Sequence, residues 1–183
     1  MTVASVYRRV LGARFDSLDP AVQRLHSLQG QHRLDGRCTI IGAQSRLGRV
    51  IARLVGLPHA AEQTAFLFEI DAGSTVETWT RHFPRRSMRS RLHAGDHDDL
   101  IERLGIVRLQ FSLAVASGAL TMRLDAVRIA GMPWPRAWLP TVWAREHGDG
   151  DHFHFDVSAR LGRLGLLVAY RGHLDLSGAA PLA

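Results

Sequence analysis

Thr64-Ala65-Phe66-Leu67-Phe68-Glu69-Ile70-Asp71-Ala72-Gly73 marks the point at which the hydrophobic period of the chain changes. Phe66, Phe68 and Ile70 recur at every second residue, so they share one face of a strand, and Gly73 turns the chain into the next one. The two-residue period then persists. It predicts strands at about 75–83, 87–93, 100–104, 107–116, 120–129, 138–146, 152–159 and 166–176. Turn signals separate them at Gly95-Asp96, Gly105, Ser117-Gly118, 131–135 and Gly148-Asp149-Gly150. Links this short join antiparallel neighbours, because parallel pairs need crossovers of about a dozen residues or more.

Upstream of Thr64 the pattern is mostly helical. Val6, Val10 and Leu11 share one face; Asp19-Pro20 opens a second helix carrying Val22, Leu25 and Leu28, which Gly30 ends. A short strand is expected at 37–41. Ser45 then caps a third helix whose Leu47, Val50, Ile51, Leu54 and Val55 form one apolar stripe, and Gly56 and Pro58 stop it. So many consecutive strands cannot stay flat, and the expected fold is α+β: a long, strongly curled antiparallel sheet, a half-barrel, with N-terminal helices and one helix packed on it. Residues 1–176 read as a single domain and 177–183 as a disordered tail.

A chain of 183 residues is long enough to bury roughly 70% of its unfolded surface. With 46% hydrophobic and 22% charged residues it has the composition of a globular protein. The 23 basic residues are all arginine and, against 17 acidic ones, leave a net charge of +6. Only Arg81, Arg85, Arg86, Arg89 and Arg91 form a dense group, and scattered charge reads as a solvated surface, so no nucleic-acid partner is expected. Cys38 is the sole cysteine, which excludes an intramolecular disulfide or a cysteine-built zinc site and suits a reducing cytoplasm. No window reaches the ~20 apolar residues of a membrane span, and Arg8 and Arg9 stand where a signal peptide would have its apolar core.

Strict alternation in His152-Phe153-His154-Phe155-Asp156-Val157 puts His152, His154 and Asp156 on one strand face. If the following strand returns through a short turn, His154 falls opposite Arg171 and His152 opposite His173, with Tyr170 and Val168 on the apolar face. His152, His154 and His173 have suitable identities for a divalent metal; equally, such a face is the solvated side of a half-buried sheet. The loop His93-Ala94-Gly95-Asp96-His97-Asp98-Asp99 carries ligand-type residues without the spacing of a calcium loop. Trp79, Arg81 and Phe83 alternate onto one face and Arg89 and Arg91 onto a face of the next strand, an arrangement able to hold an anionic head group. The candidate ligand-binding set is therefore Trp79, Arg81, Arg89, His154, Asp156, Tyr170 and Arg171. Trp134, Trp138 and Trp143 surround Pro133, Pro135 and Pro140 in what reads as a rigid crossover.

Several of these motifs carry a family likeness. Gly131-Met132-Pro133-Trp134-Pro135, Pro140, 153–157, Tyr170-Arg171-Gly172-His173-Leu174 and, upstream, Trp79-Thr80-Arg81-His82-Phe83 and Glu102-Arg103-Leu104-Gly105 resemble a bacterial domain-of-unknown-function family. Its members stand alone or follow saccharopine-dehydrogenase-like NADP-binding domains, so the resemblance implies a self-contained domain with an oxidoreductase as partner. The family has no established catalytic residues to carry over. The chain itself shows no Gly-x-Gly-x-x-Gly after a strand, and no cofactor is expected. Three functions remain open: a binding domain for a small hydrophobic or acidic metabolite that assists an oxidoreductase; an enzyme using the His152, His154, Asp156, Arg171 and His173 face; and an interaction module docking through 134–143.

Overall fold

A computed structural model describes residues 4–178. Three α-helices are present among the described residues: α1 (Val6–Leu11), α2 (Pro20–Leu25) and α3 (Arg46–Leu54). The strands are β1 (Gly30–Gly42), β2 (Ala61–Ala72), β3 (Glu77–Phe83), β4 (Arg86–Ala94), β5 (Asp99–Leu104), β6 (Val107–Ala116), β7 (Ala119–Ile129), β8 (Met132–Pro133), β9 (Thr141–Asp149), β10 (His152–Leu161) and β11 (Gly165–Asp175). Gly30 begins β1 rather than merely ending α2, and β1 is far longer than the 37–41 expected. Trp138 lies in a 3-10 turn (Arg136–Trp138) ahead of β9. Of the tail expected to be disordered, residues 179–183 lie outside the described residues.

The sheet order is β6-β5-β4-β3-β2-β1-β11-β10-β9-β7, and β6 pairs again with β7, so ten antiparallel strands close into a barrel; β8 is a two-residue addition to β7. This corrects the half-barrel expectation. Closure comes from the seam between the first and last strands, β1 and β11, which pair from Gly36↔Leu174 to Gly42↔Val168. The two backbones approach closely there: a Cβ at Gly172 would run into the Arg37 carbonyl, and one at Gly36 into the His173 carbonyl. Only glycine fits both positions.

Alternation along each strand sends one set of side chains inward. Leu34, Phe66, Phe68, Leu92, Leu100, Phe111, Leu120, Phe153 and Phe155 form a continuous buried core. Burying a side chain of this size contributes roughly 1.5–3 kcal/mol. Residues 4–29 cover one end of the barrel. α1 touches β4 and β5, while α2 touches β9 and β10 across the ring, so the segment spans the mouth. Five connections lie at the other, open end: β1 to β2 through α3, β3 to β4, β5 to β6, β7 to β9 and β10 to β11. α3 rests on the outer wall against β11. Among the described residues no helix is long and apolar enough to cross a membrane.

Candidate ligand site inside the barrel

The barrel interior holds a cavity of about 180 Å³ lined mostly by apolar side chains, among them Phe66, Phe68, Phe155 and Val168. A few polar groups interrupt this lining, each at an inward position of a strand. Arg81 on β3 donates from Nη1 to Glu102 Oε1 on β5 (3.1 Å) and to Ser90 Oγ on β4 (3.2 Å). Those are its only side-chain hydrogen bonds among the described residues, so the other guanidinium N–H groups remain free at the cavity wall. Burial works against the charge on Arg81, but the Glu102 carboxylate outweighs it and the net direction of its pKa is up. The guanidinium also lies 5.2 Å from the centroid of the Trp79 ring. Tyr170 lines the same space, and burial raises its pKa, keeping the phenol neutral.

Two further buried carboxylates hold the cap. Glu77, where β3 begins, accepts the Val6 N–H of α1 at Oε1 (3.2 Å) and the Trp79 indole N–H at Oε2 (3.1 Å). Burial pushes its pKa up. Glu146, near the end of β9, accepts from His26 Nε2–H at the end of α2 (2.7 Å), and the His26 side chain has no solvent exposure. Tyr7 stacks on the His26 ring with centroids 3.6 Å apart, and both rings lie near-parallel to Trp79. Nδ1 of His26 is buried without a partner among the described residues. Asp19 adds an acceptor for the Gly148 N–H (2.9 Å), and Arg24 pairs with Asp151. The cap is thus bolted to the rim by polar contacts, several of them fully buried.

The structure divides the expected ligand set in two. Trp79, Arg81 and Tyr170 meet inside the barrel, whereas Arg89, His154, Asp156 and Arg171 lie on its outer wall. Arg89 points away because β3 and β4 pair Arg81 with Met88 and Thr80 with Arg89, placing Arg89 on the opposite face from Arg81. The hairpin register also differs by two residues: His154 stands opposite His173, Asp156 opposite Arg171 and His152 opposite Asp175. A bulge between Ala159 and Arg160 and the 3-10 turn Gly162–Leu164 set that register. His147 on β9 joins the patch, stacked on His154 with centroids 4.9 Å apart. Burial, followed by the neighbouring His147, His173 and His152, lowers the His154 pKa. Among the described residues no group of three or more His, Cys, Asp or Glu has the arrangement to hold a metal, which applies equally to His152, His154 and His173 and to the His93–Asp99 loop. Cys38 faces inward, and burial raises its thiol pKa to about 11.

Glu77, Glu102, Glu146, His26 and Tyr7 were not anticipated as site residues. The signal for the three glutamates in the sequence is a lone carboxylate in an inward-phased position, as in Leu100-Ile101-Glu102-Arg103-Leu104 and Val142-Trp143-Ala144-Arg145-Glu146. Taken together these features define a capped, closed ten-stranded β-barrel with a small interior cavity. The chain belongs to the family described as Domain of unknown function (DUF4166), which matches residues 18–174. It is similar to the crystal structure of Rv2717c from M. tuberculosis at 14% identity, covering 86% of this chain and 98% of that one with a TM-score of 0.42. No curated protein matches.

Proposed function

We propose that this protein binds a compact, mostly apolar small molecule in the barrel, with a single polar group of that molecule on Arg81. The observation that carries this reading is the interior cavity of about 180 Å³ whose apolar lining is broken by an arginine with unused donors. An apolar cavity of roughly 150 Å³ accommodates benzene, so the fit is to about six to ten non-hydrogen atoms. Glu102 already neutralises Arg81, and a free carboxylate would bring a second negative charge beside it. A neutral acceptor such as a carbonyl or hydroxyl is therefore favoured over an acidic metabolite. Such a carrier would hold its molecule for an oxidoreductase, the association that the family resemblance implies.

Fluorine NMR with fluorobenzene and 4-fluorobenzaldehyde tests this. Both should bind saturably, the aldehyde roughly threefold to tenfold more tightly through one added hydrogen bond. Ala144 lines the cavity, and Ala144→Phe should abolish binding of both probes while the protein stays folded. Arg81→Met should remove the preference for the aldehyde. Failure of the folded wild-type protein to bind either probe would overturn the reading.

A further inference from the structure

The two ends of the barrel differ in charge. The open-end connections with two strand residues on either side, 41–62, 82–87, 103–108, 128–142 and 160–166, contain eleven arginines and a single acidic residue, Glu62. None of the eleven makes an ion pair among the described residues. At the capped end, by contrast, Asp71, Glu77, Asp96, Asp98, Asp149, Asp151 and Asp175 crowd the turns. Arginines that look scattered along the chain are gathered by the antiparallel topology, because every second connection returns to the same end.

The apolar surface is gathered in the same place. Of the ten large hydrophobic side chains that the described residues leave exposed, nine lie toward the open end and only Val76 toward the capped one. Leu54 is 81% exposed on α3, Ile106 69% in the β5–β6 turn, and Met132 70% and Trp138 66% in the β7–β9 connection. α3 shows how this arises. It packs on the barrel through its small residues, Gly48 against Leu167 with Ala52 buried nearby, and leaves the Leu47, Val50 and Leu54 stripe outward, flanked by Arg46, Arg49 and Arg53. The helix expected to pack on the sheet does so, but with its small residues rather than its apolar stripe against the wall, because close approach selects the small side.

We infer that the open end docks on an anionic lipid bilayer, with α3 lying in the interface and the arginines on the head groups. Charge complementarity selects this occupant. A basic, short amphipathic helix with aliphatic and tryptophan neighbours is the chemistry of an interfacial contact, in which apolar side chains enter the acyl boundary and guanidinium groups meet phosphates. A second copy is disfavoured because a self-complementary contact would set eleven arginines against eleven. A nucleic acid would match the charge but not the exposed leucines. The inference is independent of what the cavity holds.

Co-sedimentation of the full chain with two kinds of vesicle tests it: pure phosphatidylcholine, and phosphatidylcholine mixed with phosphatidylglycerol. The protein should bind the mixed vesicles at low salt, release at high salt, and bind the neutral vesicles weakly. Arg49→Gln with Arg53→Gln should weaken the partition roughly twenty-fivefold, about fivefold per arginine. Leu47→Ser with Leu54→Ser should weaken it about tenfold. All four residues are exposed, so melting curves should match the parent. No binding to mixed vesicles at low salt, or binding indifferent to both double variants, would overturn the inference. So would a concentration-dependent dimer, or tight binding of single-stranded RNA, with no vesicle association.

Discussion

At the scale of single residues, the interior buries ionisable groups, among them Glu77, Glu146 and His26, that tie the cap to the barrel. Glu77 is the clearest case. Burial raises its pKa, so the folded chain holds that proton more firmly than the unfolded chain. Its contribution to stability is therefore complete below the ordinary carboxylate range, near 4.3, and is lost as pH rises through the raised folded value. The stability of wild type relative to Glu77→Gln should fall between acidic and neutral pH, measured by urea unfolding at each; a constant difference would exclude the assignment. These residues were hard to read in advance for a simple reason. A lone glutamate in an alternating strand reads as a solvent-facing residue until its partner is known. Arg81 and Glu102 are 21 positions apart, and His26 and Glu146 are 120 apart. Trp79, Arg81 and Tyr170 were legible because they share phase with phenylalanines on their own or adjoining strands.

At the scale of elements, period and punctuation located most of the structure. β6 spans Val107–Ala116, the limits set by its flanking glycines, and α3 begins after Ser45 as the cap residue requires. Which side of an element packs is a different matter. The β10–β11 register depends on a bulge and a 3-10 turn, features with no period of their own, so the histidine face was found but paired two residues out. For α3, apolarity pointed one way and packing went the other. Ser45 both caps the helix, accepting from Gly48 N–H (3.1 Å), and donates to the Leu164 carbonyl (3.1 Å) in the β10–β11 connection. Ser45→Ala should cost about 1 kcal/mol, while Leu54→Ser should change stability by no more than about 0.5 kcal/mol. Thermal denaturation distinguishes the two; a large loss for Leu54→Ser would mean that the stripe is packed rather than free.

At the scale of the whole molecule, closure was the feature that local reading missed. An open curled sheet and a closed barrel share the same alternation and the same hairpins, differing only in the pairing of strands from opposite ends of the chain. The seam supplies that difference through Gly36 and Gly172. Gly172→Ala should cost about 3 kcal/mol or more in a denaturant titration, because the obstructing atoms are backbone and cannot swing aside. A near-neutral result would show that β1 and β11 can separate without penalty. The cap has a consequence in time. Its helices are the first part of the described chain to leave the ribosome, yet Glu77 follows Val6 by 71 residues and Glu146 follows His26 by 120. At 5–20 residues per second, His26 waits about 6–24 s for its carboxylate. The ring itself closes later still, because β1 has to wait for residues 168–174 of β11 before the seam can form.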